Sequence, residues 1–98
     1  RMMKDPRDLD MVRSQTVNPI WIVRVQAAAA LGRIGVEEDK VRLIRLLVDP
    51  QWWVRYRAAT SLSQLPFVSI EELQRIRDNQ VDRFAIDMLN QVLAERLA

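Results

Sequence analysis

Apolar residues recur at three- and four-residue intervals through nearly the whole chain, and no stretch alternates with period two for long enough to make a strand. The spacing predicts helices over about 6–14, 20–34, 38–48, 51–65, 70–78 and 81–96. The punctuation between them agrees. Asp5-Pro6 offers an N-cap followed by proline at the first helical position. Ser69 followed three residues later by Glu72 is a capping box. Gly35 is placed to cap a C-terminus, and Pro66 marks a further break. The acids Glu37-Glu38-Asp39 and Glu71-Glu72 fall in first turns, where they complement the helix dipole. Connections of two to five residues imply antiparallel neighbours.

The predicted helices differ in how far their apolar surface extends. Segment 20–34 is apolar nearly all round, broken mainly by Arg24, Gln26 and Arg33, so it is expected to be covered from several sides. Its run Ala27 to Ala30 would let neighbouring backbones come close. Segment 81–96 has one stripe, Val81, Phe84, Ala85, Met88, Leu89, Val92 and Leu93, with Ile86 outside it. Asp82, Asp87, Asn90, Gln91 and Glu95 cover its other side, as suits the last helix of a stack.

A repeat underlies this pattern. Asn18-Pro19-Ile20-Trp21-Ile22-Val23-Arg24 aligns with Asp49-Pro50-Gln51-Trp52-Trp53-Val54-Arg55 at an offset of 31. Ala27-Ala28 then falls on Ala58-Ala59, and Leu31 on Leu62, giving seven identities in seventeen ungapped positions. A weaker third copy, at an offset of 27 from the second, places Val81, Ala85, Leu89 and Val92 under Val54, Ala58, Leu62 and Leu65. Asp82 stands there in place of the arginine. Leu9 and Val12 give the short front segment an apolar face, which makes it the helix preceding the first copy.

The unit Asp49-Pro50, Val54-Arg55, Ala58-Ala59, Leu62 resembles the HEAT repeat in its short form, known from phycobilisome-lyase-like proteins. Asn18-Pro19, Val23-Arg24, Ala27-Ala28, Leu31-Gly32 carry the earlier match. The resemblance implies an all-α fold, a short right-handed α-solenoid of stacked antiparallel helix pairs. The chain (1–98) is then a single domain, with repeats at 6–34 and 38–65 and a divergent capping repeat at 70–96. It also implies a hydrogen-bonded ladder between adjacent repeats, which here would use Asp49 with Arg55 and Asn18 with Arg24. The neutral Asn18 should weaken its rung. By the same resemblance the Val-Arg helices line the concave side.

Composition narrows the chemistry. Histidine and cysteine are both absent, which removes the usual general base, the commonest metal ligand and thiolate chemistry. No catalytic, cofactor or metal site is expected, and no enzyme activity. Lys+Arg is 15 against Asp+Glu 13, a weak net charge of +2, and no apolar run approaches a membrane span. The basic residues are thirteen arginines and two lysines, a choice that suits fixed bidentate bonds.

Trp21 and Trp52 occupy equivalent positions and are expected near the core. Trp53 has two readings: packed across Tyr56 or a neighbouring helix, or an exposed anchor of the kind that dominates interface hot spots. The partner-binding candidates are Trp53, Tyr56, Arg57, Gln26 and Arg33. The leading expectation is a non-catalytic protein–protein interaction or scaffold module, cytoplasmic. It would serve another protein, other domains of its own parent chain, or a second copy of itself. A nucleic-acid-binding reading would use Arg24, Arg33, Arg55, Arg57 and Trp53, and the near-neutral charge counts against it. An accessory role like that of the bilin lyases rests on fold analogy alone. The short front segment and Met2-Met3 lead to the expectation that further helix precedes Arg1 or that a second copy covers the front.

Overall fold

The computed structural model describes residues 6–98, with side chains from Asp8 onward. The Asp5 cap and the Met2-Met3 segment lie outside the described residues. Among the described residues every regular element is helical: α1 (Pro6–Gln15), α2 (Trp21–Ile34), α3 (Lys40–Leu46), α4 (Trp52–Gln64), α5 (Ile70–Asp78) and α6 (Arg83–Leu97). A 3-10 turn, Glu37–Asp39, leads into α3.

Two helices depart from the spacing-based expectation. Segment 38–48 contracts because its front winds as the 3-10 turn and its end closes in three-residue turns, with Leu47 N–H on Ile44 O and Asp49 N–H on Leu46 O. α6 begins only at Arg83, because the Asp82 carboxylate caps the N–H groups of Phe84 and Ala85 at 2.8 and 3.2 Å. Val81 is thereby left outside the helix and 98% exposed, so it does not belong to the apolar stripe. Phe84 is exposed as well, and the buried stripe of α6 reduces to Ala85, Met88, Leu89, Val92 and Leu93.

α1 packs on α2, α3 on α4 and α5 on α6, while α2, α4 and α6 lie side by side as an inner layer. One apolar cluster runs through the stack, with Leu31, Leu43, Leu47, Val54, Leu62 and Leu89 fully buried in it. The most extensive seam is between α2 and α4. There a methyl group on Gly32 would stand 2.7 Å from Ser61 Oγ and 2.8 Å from Ser61 Cβ, so only glycine fits. Buried Ala27, Ala28, Ala58 and Ala59 keep the rest of the two helices' buried surface narrow.

Outer-layer helices are tied by charge. Arg13 of α1 donates from Nε to Asp39 Oδ1 at 2.7 Å and from Nη2 to Oδ2 at 3.1 Å. Asp39 also accepts the Val36 N–H at 2.8 Å and is fully buried. The sequence pattern grouped Asp39 with the first-turn acids. Its actual role is different, because α1 brings a bidentate partner to it. Burial by itself would push this carboxyl up. The Arg13 hydrogen bonds, the Val36 N–H and the charges of Arg13 and Arg42 overcome that and hold it below its ordinary value. The same bond raises the Arg13 guanidinium further. Lys40 bridges Glu37 and Glu72, which ties α3 to α5 and raises the ammonium. The Ser69 hydroxyl accepts the Glu72 N–H at 3.1 Å, but the Glu72 carboxylate goes to Lys40, so only half of the capping box forms.

Two stability results are expected. Gly→Ala inside a helix ordinarily stabilises by up to about 1 kcal/mol. Gly32→Ala should instead destabilise, because its methyl meets Ser61. Ser61→Ala should be neutral or stabilising, since the fully buried Ser61 hydroxyl has no partner among the described residues and its repeat counterpart is Ala30. Urea melts of both variants test the pair. The second result concerns pH. A carboxyl lowered in the fold stabilises above its unfolded value, about 3.9, and loses that contribution as pH falls through the lower folded value. The stability gap between wild type and Asp39→Asn should therefore be flat near neutrality and shrink below about pH 4. A gap independent of pH down to acid unfolding would contradict the pairing.

Candidate interaction surface

At about 100° per residue, the buried side chains Val54, Arg55, Ala58, Ala59, Ser61, Leu62 and Leu65 of the α4 region fall on one side. Trp53, Arg57, Thr60 and Gln64 form the opposite stripe. The equivalent stripe of α2 is Ile22, Gln26, Ala29 and Arg33. All eight are exposed or partly exposed, and the α2–α4 seam sets the two stripes beside each other as one face.

Trp53 is 58% exposed and still in contact with its neighbours. Its ring meets Trp52 edge-on, with centroids 4.8 Å apart and planes at 88°, and meets Tyr56 at 6.3 Å and 89°. Trp52 stacks on Tyr56 at 5.2 Å with planes 6° apart. The three rings brace one another, as i, i+3 and i, i+4 spacing on a helix permits. Trp53 thus rests on Tyr56 and also faces solvent. Trp21 is half-buried against the core, whereas Trp52 is 42% exposed and not a core residue. The cause is the looser α4–α6 contact, which leaves a groove of about 200 Å³ lined by Trp52, Arg55, Phe84, Asp87, Met88 and Gln91.

Arg24 and Arg55 turn inward instead. Arg24 donates from Nη1 to the backbone carbonyl of Asn18 at 2.7 Å. It also forks onto the Asp49 carboxylate, Nε to Oδ2 at 2.8 Å and Nη2 to Oδ1 at 3.1 Å. Asp49 therefore receives the arginine of the preceding repeat on its side chain. It holds its own repeat's Arg55 only through its carbonyl, at 2.8 Å. The neutral side chain of Asn18 does not weaken the Arg24 contact, because the carbonyl makes it. Asn18 Oδ1 instead accepts the Ile20 N–H at 2.8 Å, as Asp49 Oδ1 accepts that of Gln51 at 2.9 Å. Arg55 is buried, and its guanidinium lies 4.4 Å from the centroid of the Phe84 ring. Arg33 is exposed and Arg57 half-buried, and neither forms an ion pair or hydrogen bond with a described residue.

The residues that sequence reasoning missed are Arg13, Asp39 and Phe84. Asp39 precedes its helix as Asp49 precedes α4, but a run of three acids hides which one is buried. Phe84 matched an apolar stripe and carried no sign of the arginine beneath it. A second groove, of about 180 Å³, opens between α1 and α2 over Met11, Val12, Gln15, Val23, Ala27 and Ala30, and the candidate Gln26 lines it as well, on the α1 side of α2. Among the described residues no cluster of carboxylates could hold a metal, and no helix is long and apolar enough to cross a membrane.

Stacked antiparallel helix pairs with an arginine fork between repeats define a helical-repeat protein. The family model of the HEAT repeats matches residues 9–96, and the chain belongs to this family. No curated protein and no solved structure matches it. HEAT repeats in general mediate protein–protein interaction or scaffolding and are typically non-catalytic.

The arginines should separate in denaturant melts. Arg24→Ala leaves the buried Asp49 carboxylate without its charged partner, with only the Gln51 N–H on it, and should cost about 3–5 kcal/mol. Arg55→Ala removes one hydrogen bond and one ring contact, about 1–3 kcal/mol. Arg57→Ala should stay within about 0.5 kcal/mol. Equal losses at all three positions would remove the distinction between structural and surface arginines.

Proposed function

We propose that the protein is a non-catalytic interaction module that receives a protein partner, or another domain of the same polypeptide, on the α2–α4 face centred on Trp53. The observation that carries this reading is an indole 58% exposed yet held by two other rings. An anchor already fixed in place loses little side-chain freedom on binding, which favours affinity. Tyr56 and Arg57 stand beside it, and Trp, Tyr and Arg are the residue types most enriched in hot spots. Gln26 and Arg33 extend the same face along α2. The nucleic-acid reading loses two of its four arginines, since Arg24 is forked to Asp49 and Arg55 is buried under Phe84.

The test uses a partner recovered with the wild-type protein, identified, and purified for calorimetry. Trp53→Ala should stay folded, losing only its edge-on ring contacts at about 0.5–1.5 kcal/mol each, and should weaken binding by at least about 2 kcal/mol, roughly thirtyfold in Kd. An unchanged Kd would move the contact off this face. Loss of the fold would make Trp53 a packing residue.

A further inference from the structure

Charge is segregated between the two layers. α2 and α4 carry four arginines and not one Asp or Glu. The acids ahead of α6 lie mainly on the outer layer, including Asp10 on α1, Glu37 and Glu38 before α3, and Glu71, Glu72 and Asp78 on α5. Arg24 is neutralised by Asp49 and Arg55 is buried, so the uncompensated charge on the α2–α4 face is that of Arg57 and Arg33. Their placement has an order. The exposed apolar side chains Ile22 and Trp53 stand at the N-terminal end of the face. Arg57 follows one turn along α4, and Arg33 lies eleven residues beyond Ile22, about 16 Å at 1.5 Å per residue.

We infer that this face takes an acidic segment of a partner protein, with an aromatic or leucine side chain seated on Trp53 and carboxylates on Arg57 and Arg33. This rests on the interaction-module reading and adds the chemistry of the partner. A guanidinium without an internal acceptor presents a fork that a carboxylate fills with two parallel bonds. Arg57 is half-buried, so such a bond would be partly shielded from water. A basic segment would meet like charge on both helices and no acid. A nucleic acid is disfavoured by number. Its affinity grows with the count of phosphates neutralised, and here two arginines are available, with the exposed Asp87 on the adjoining helix.

Selection of random short peptides displayed on phage against the immobilised protein tests this directly. Enriched peptides should combine Asp or Glu with an aromatic residue or leucine. The synthesised consensus peptide should lose about tenfold or more in affinity with Trp53→Gln and with Arg57→Gln. Both variants should remain folded, Arg57→Gln melting as wild type does and Trp53→Gln a few degrees lower because its two ring contacts are lost. The same peptide with Lys for each Glu should not bind. Neutral or basic peptides that still require Trp53 would sink the acidic-partner inference and leave the interaction-module reading standing. Peptides indifferent to Trp53, or no enrichment, would sink both. Oligothymidylate that displaces the consensus peptide and binds more tightly would assign the face to nucleic acid.

Discussion

Two short antiparallel helices bury too little apolar surface to hold together alone, so every pair in this protein depends on the next one along. The dependence is strongest at the α2–α4 seam. Gly32 lies against Ser61 with no room for a methyl group between them, and buried alanines keep the adjoining surfaces narrow. That close approach packs Leu31 and Leu62 into one continuous core rather than two separate ones. It also fixes the register in which the exposed stripes of α2 and α4 become neighbours.

Charged ties follow from the same register. Each crosses from one repeat to the following one: Arg13 to Asp39 and Lys40 to Glu72 in the outer layer, Arg24 to Asp49 in the inner. The inner series then changes character, because Arg55 meets the ring of Phe84. An aromatic face accepts a cation without requiring a second buried charge. The looser α4–α6 contact and the groove beside Trp52 accompany this change.

The division between inward and outward arginines organises the surface. Arg24 and Arg55 are spent on joining repeats, and their burial gives α4 a fixed position from which Trp53 and Arg57 project. The braced rings of Trp52, Trp53 and Tyr56 make that projection stiff.

Much of the architecture was legible in the chain. The 31-residue identities and the three- and four-residue apolar spacing are local properties, and they determine the six helices of the described residues and their pairing in sequence order. The site was legible only in part. Equivalence of Trp21 with Trp52 could be read directly, but their burial could not, because it depends on how closely the next helix packs: α4 beside α2, α6 more loosely beside α4. Ion-pair partners were hidden for the same reason. Arg24 lies six residues from Asn18 and 25 from Asp49, and only the stacking of repeats shows that its fork goes to the farther one. Likewise Asp39 cannot be told from Glu37 and Glu38 until α1 is folded over it. Residue types and periods specify which surfaces are apolar and which helices form; the choice of partner for each buried charge is a matter of distance across the fold, and Coulomb and hydrogen-bond energies are decided there.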